Sequence, residues 1–149
     1  MQYSIPNNGR ILALDPGTKY VGVAVSDELR LIAIPLVAID RRSWKKLLSD
    51  VRVVIAKYDA AALVVGLPLN TDGTESPMSK DARDLAAKFK LSLDIPVFLE
   101  DERVTSYEAR GRLWERGVSV SETKKFVDCE AAALILTDFL ERLKIDSSI

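Results

Sequence analysis

Two apolar strands joined at a Pro-Gly turn, with a carboxylate at the junction, constrain this chain more than any other feature. Ile11-Leu-Ala-Leu14 runs straight into Asp15, and Pro16-Gly17 turns the chain. Val21, Val23 and Val25 then alternate with Gly22 and Ala24, the period of two expected of a second strand. A strand as apolar as the first is ordinarily covered on both faces, so a carboxylate at its end is costly unless something pairs with it. Asp15 is therefore either the opener of a Pro-Gly turn, a position that Asp favours, or a ligand for a cation.

The chain has 149 residues, 48% of them hydrophobic, enough for a single domain over 1–149 with a sizeable core. Its lone cysteine, Cys129, excludes an internal disulfide and suits a reducing, cytoplasmic setting. No early segment joins a basic start to a long apolar run, so neither a signal peptide nor a membrane partner is expected. There is no histidine, which removes Ser-His-Asp triads, His general bases and His-ligated zinc. Any metal would be a hard cation held by carboxylates, namely magnesium or manganese. The net charge of −1 means that nucleic acid, if bound, must meet a local basic patch.

The hydrophobic pattern predicts strands over 11–15, 20–26 and 31–38, then a helix over 44–57 capped by Ser43. A buried strand over 61–66 follows, then a turn-rich loop over 67–77 and a helix over about 78–90. A fifth strand covers 95–99 and leads into Glu100-Asp101-Glu102-Arg103. Thr105 and Glu108 match a capping box for a helix running to Arg116. A loop over 117–123 precedes a last helix over 127–144. The order β-β-β-α-β-α-β-α-α implies an α/β fold, a mixed five-stranded sheet flanked by helices on both faces.

Sites in open α/β sheets lie beyond the carboxyl ends of the parallel strands. That rule brings Asp15, Asp101 or Glu102, and Asp128 toward one edge from positions far apart in sequence. Carboxylates gathered in this way repel one another unless a divalent cation compensates them. Two such ions can activate a water and stabilise the leaving oxygen of a phosphodiester without any histidine. Each residue also has a plainer role. Asp128 reads equally as a helix N-cap, Arg103 as the surface partner of Glu102 or Glu100, and Lys124-Lys125 as a solvated face.

The motifs are more specific than the spacing. Asp15-Pro-Gly-Thr-Lys with Val21-Gly-Val-Ala-Val-Ser-Asp27 resembles the opening signature of the YqgF family, also called RuvX. Val64-Val-Gly-Leu-Pro-Leu-Asn70 followed by Asp72-Gly-Thr-Glu75 resembles its second block. Asp101-Glu-Arg103 with Thr105 and Glu108-Ala109 resembles the third, and Lys125 with Val127-Asp128 and Ala131-Ala-Ala-Leu-Ile135 the fourth. The resemblance implies a ribonuclease H-like fold related to the RuvC resolvases. It also implies a metal-dependent nuclease, described for the family provisionally as a Holliday-junction resolvase or as a processor of the 5′ end of pre-16S ribosomal RNA. Carried over by residue, Asp15 and Asp128 match the first and last acids. Glu102 is favoured as the middle one, with Asp101 the alternative. These acids would hold Mg2+ or Mn2+, while Lys19, Arg103, Arg112, Lys124 and Lys125 are the candidates for phosphate contacts. Resolvase relatives carry an acid on strand four where this chain has Gly66-Leu67-Pro68, so Asp72 or Glu75 would have to supply one from the loop.

Pre-rRNA is favoured as substrate over branched DNA, and a homodimer is left open because no segment identifies an interface. Two other classes compete with the nuclease. An ATP-binding lobe of the actin and sugar-kinase type shares the Asp-x-Gly-Thr turn, but enclosing a nucleotide takes two lobes. A non-catalytic nucleic-acid-binding module would explain the missing strand-four acid.

Overall fold

The computed structural model describes residues 5–101 and 120–147, with side chains over 5–101 and 129–144. Strands β1 (Arg10–Pro16) and β2 (Tyr20–Ser26) form the antiparallel hairpin that the Pro-Gly turn announces, with Leu12 opposite Val25 and Asp15 opposite Gly22. The Gly17 amide donates to the Tyr20 carbonyl at 2.8 Å and closes the turn. Beyond β2, the carboxylate of Asp27 accepts from the amides of Leu31 and Ile32 at 2.7 and 3.0 Å, turning the chain back.

The strand expected over 31–38 is broken into β3 (Ala33–Pro35) and β4 (Ile39–Asp40), both antiparallel to β2. Leu36 still donates its amide to the Val23 carbonyl at 2.8 Å. The chain then leaves the ladder until Ile39 pairs with Val21. The sheet therefore has six strands, not the five expected.

Helix α1 (Trp44–Tyr58) is capped by Ser43, whose hydroxyl accepts from the Lys46 amide at 3.1 Å. Strand β5 (Ala60–Leu67) and helix α2 (Pro77–Ser92) follow, the latter opening on a reciprocal cap between Ser76 and Ser79. Strand β6 (Val97–Asp101) starts two residues later than expected, because Pro96 brings no amide to the ladder. It runs on through Glu100 opposite Gly66 and Asp101 opposite Leu67. The helix expected over Thr105–Arg116 lies outside the described residues.

The last helix, α3 (Val120–Ser147), begins seven residues ahead of the expected 127. Its first turns, through Glu122, Lys124 and Lys125, are polar but built of good helix formers, so residues 120–123 are helix rather than loop. Asp128 consequently lies within the helix, not at its N-cap. Among the described residues no helix is long and apolar enough to cross a membrane.

The strand order is β3-β2-β1-β5-β6, with β4 beside β2 off this path. Strands β1, β5 and β6 are parallel, as short αβ crossovers require. Alternation along each strand separates two cores. Leu12, Leu14, Val23, Val25, Leu63 and Val65 pack with Leu47 and Val51 of α1 and Leu85 and Phe89 of α2. Ile11, Ala13, Ala24 and Val64 pack with Ala132, Ile135, Leu136 and Phe139 of α3. Helices thus cover both faces, and the carboxyl ends of the three parallel strands share one edge.

Candidate active site at the carboxyl edge of the sheet

Asp15 occupies that edge. It is only 6% exposed, one step beyond Leu14, which pairs with Val65 of β5. Ile11 and Ala13 belong to the core under α3, so alternation puts Asp15 on the α3 face. Glu100, on β6, is also buried, at 5% exposure. It pairs with Arg142 near the carboxyl end of α3, and Phe98, two residues earlier, meets Phe139 of the same helix at 5.7 Å between ring centres. Glu100 therefore faces α3 as well. Between the two carboxylates lies Gly66, opposite Glu100. Two strand spacings separate the backbones of Asp15 and Glu100, about 10 Å, and the residue between them has no side chain to fill the interval.

Glu100, weighed with Glu102 as a plain surface partner for Arg103, is not a surface residue; Arg103 itself lies outside the described residues. Glu100 is an inward-facing acid, and its charge is tolerable in a buried position because Arg142 compensates it. A signal for it exists in the sequence, since Glu100 has the same strand parity as Phe98. The charge run Glu100-Asp-Glu-Arg103 hides that parity. Asp101 has the opposite parity, which sets it on the α1/α2 side of the sheet.

The turn that follows Asp15 is held by a residue the sequence did not single out. The backbone amide of Arg41 donates to the Lys19 carbonyl at 2.9 Å, and its guanidinium donates to the Gly17 carbonyl, also at 2.9 Å. The same guanidinium pairs with Asp81 of α2 at 2.7 Å. Lys19 itself is exposed on this turn. One arginine thereby fixes two carbonyls of the Gly17–Lys19 turn to α2.

The 67–77 loop is densely bonded to itself. Asp72 accepts from the Thr74 amide and hydroxyl at 3.0 and 2.6 Å, and Asn70 donates to the Thr74 hydroxyl at 3.0 Å. Glu75 takes a two-pronged contact from Arg83 at 2.8 and 3.0 Å and a hydroxyl bond from Ser79 at 3.1 Å. The Arg83 guanidinium holds the Glu75 carboxyl below its ordinary value; burial opposes it and the Ser79 hydroxyl assists. Glu75 is therefore committed to α2 and is poorly placed to replace the strand-four acid.

Asp128 and Lys124-Lys125 belong to α3, with Asp128 one turn ahead of Ala131 and Ala132, which are buried against the sheet. Glu102, Arg103 and Arg112 lie outside the described residues. Among the described residues no group of three or more His, Cys, Asp or Glu could hold a metal ion. A cleft of about 320 Å³ is lined by Gly9, Arg10, Glu28 and Tyr58, at the start of β1 and so at the opposite end of that strand from Asp15.

The sequence profile of RuvX, a Holliday junction resolvase family, matches residues 9–142. This chain belongs to the RuvX family. A relative from Anaeromyxobacter sp. (strain K) is 43% identical over 133 residues, covering 89% of this chain and 97% of its own. Another from Koribacter versatilis (strain Ellin345) is 42% identical over 139 residues, covering 93% and 91%. Both carry the provisional name pre-16S rRNA nuclease. Among solved structures, Thermus thermophilus RuvC in complex with Holliday junction substrate superposes with a TM-score of 0.55 at 17% identity, covering 91% of this chain and 96% of that one. The fowlpox virus Holliday junction resolvase gives 0.52 at 14%, covering 90% and 99%. At those identities the likeness concerns the fold, and the RuvX chain has the ribonuclease H-like fold of the RuvC resolvases.

Proposed function

We propose that this RuvX chain is a metal-dependent nuclease of the cytoplasm, one domain over 1–149, that hydrolyses phosphodiester bonds in structured nucleic acid. Its favoured substrate is the 5′ end of pre-16S rRNA. The observation that carries the reading is the buried Asp15 at the carboxyl edge of the parallel strands, in a chain that matches RuvX along nearly its whole length. The names of the 37–43% identical relatives favour RNA, and the likeness to RuvC keeps branched DNA as the second substrate to test.

A hard oxygen donor set without histidine fits Mg2+ or Mn2+. Asp15, Glu102 and Asp128 would hold the ions, Glu102 being preferred because Asp101 has the parity of the other sheet face. When bound, the cations would supply an activated water and charge neutralisation at the leaving oxygen. The residues of the chain do the rest. Asp15, fixed at a paired strand position, presents its carboxylate without rearrangement. Arg41 keeps the Gly17–Lys19 turn in place, so that Lys19 projects toward phosphate from a rigid support. Arg103, Arg112, Lys124 and Lys125 complete the proposed phosphate contacts.

The test is manganese-dependent cleavage of a 5′-extended pre-16S RNA fragment beside a four-way DNA junction, with wild type and Asp15→Asn. The variant is expected to fold normally and lose RNA cleavage. Full activity in Asp15→Asn would sink the site, and mutant-sensitive cleavage of the junction alone would make the chain a resolvase.

A further inference from the structure

The segment Arg41-Arg42-Ser43-Trp44-Lys45-Lys46 places four cations in six residues of a chain whose net charge is −1. It forms no part of the proposed metal site. The fold nevertheless joins it to that site, because Arg41 is the residue whose amide and guanidinium hold the Lys19 and Gly17 carbonyls just after Asp15. From there the chain turns into α1, and Arg42, Lys45 and Lys46 all stand exposed. Beside them a cleft of about 200 Å³ is lined by Arg41, Arg42, Ser43, Trp44 and Lys88 among others. Lys88 of α2 reaches over the Trp44 ring, 5.7 Å from its centre. Cations from two separate elements, the start of α1 and the middle of α2, therefore border one cleft, and the backbone of Lys19 on the β1–β2 turn is tied to Arg41 beside it.

Carboxylates offset part of this charge: Arg41 pairs with Asp81 at 2.7 Å, Arg42 with Asp40 at 2.9 Å, Lys46 with Asp50 at 2.7 Å and Lys88 with Asp84 at 3.4 Å. The last three are solvated contacts of small net strength, readily exchanged for a phosphate. Lys19 and Lys45 have no carboxylate partner among the described residues.

We propose that this basic cleft is a binding surface for the sugar-phosphate backbone of the nucleic-acid substrate, on the flank of the sheet covered by α1 and α2. The inference rests on the nuclease reading and extends it. The strand would be gripped over Lys19, Arg42, Lys45 and Lys88 beyond the position where it is cut, so recognition would run past the carboxylate edge. Contacts of this kind set register and affinity rather than sequence choice.

The test uses fluorescence anisotropy of the full chain with a labelled 5′-extended pre-16S RNA fragment, without divalent metal, between about 50 and 200 mM salt. Arg42→Gln/Lys45→Gln is compared with the charge-matched control Lys57→Gln/Lys90→Gln, which alters exposed cations in the last turns of α1 and α2. The first variant is expected to bind roughly tenfold more weakly at low salt, and to lower the slope of log affinity against log salt by about two. Its KM for cleavage should rise in proportion with kcat held. The control should stay within about twofold, as expected where no phosphate is contacted. Equal losses in both variants, or none in either, would overturn the cleft while manganese-dependent cleavage still supports the nuclease. Failure of the wild type to bind or cleave the RNA or the junction would overturn both.

Discussion

The two faces of this sheet are built from different materials. Under α1 and α2 the contacts are large, with Leu12, Leu14, Leu63 and Phe89 interlocked and Trp44 standing edge-on to Phe89 at 4.9 Å between ring centres. Under α3 the packing is finer, with Ala13 and Ala24 on the strands and Ala131, Ala132 and Ala133 buried on the helix ahead of Ile135, Leu136 and Phe139. Among the described residues, the two buried carboxylates, Asp15 and Glu100, have the parity of that second face. The thick face collects most of the apolar area and hence most of the stability. The thin face lets helix backbone lie near strand backbone, which is where short acidic side chains can be brought together. The bulk of the packing and the proposed metal site thereby fall on opposite sides of one sheet.

Phe89→Ala should break the comparison hardest. Emptying the centre of the thick face is expected to cost about 3–5 kcal/mol, read as a lowered urea midpoint, while cleavage at low temperature by the folded fraction stays near wild type. Ala132→Leu attacks the thin face. Overpacking there should cost less, about 1–3 kcal/mol, yet cleavage should fall by more than the stability loss explains, because α3 carries Asp128. Equal losses of stability and activity in both variants would dissolve the distinction.

The smallest expected effect belongs to the periphery of both faces. Glu75 is held below its ordinary value by Arg83 first, Asp27 by the Ile32 amide first and Asp40 by Arg42 first. Each folded value lies under the unfolded one, so the stabilisation is complete above the ordinary carboxylate values of 3.8 and 4.5. It is lost as pH falls through the depressed folded values. Arg83→Gln should flatten part of that acid limb in a pH series of denaturation midpoints, and leave the neutral plateau almost unmoved.

Much of this division is legible in the sequence. The alternation of Val21, Val23 and Val25 with Gly22 and Ala24 already assigns large and small residues to opposite faces. The apolar run ending in Asp15 places an acid at a strand tip. Four things were hidden. The segment Leu31–Ala38 reads as one apolar strand, because composition does not reveal where a chain steps out of its ladder. The start of α3 was masked by a polar stretch without apolar periodicity. Glu100 was obscured by the acids after it, and its partner Arg142 lies on an element distant in sequence. Arg41 was equally silent, since its importance rests on which carbonyls it meets.

Strand β3 ends the sheet on its β2 side and shows solvent an apolar neighbourhood of Leu31, Ile32 and Ile34. Such an edge ordinarily invites another chain to add itself and begin an aggregate. Here the amide of Leu36 and the carbonyl of Ile32 are turned inward to β2, which leaves Ala33 and Pro35 to face outward. Pro35 has no N–H to offer, so an arriving strand would find a gap in the row of donors. A single imino acid lets the chain keep a greasy rim and still resist growing into a fibre.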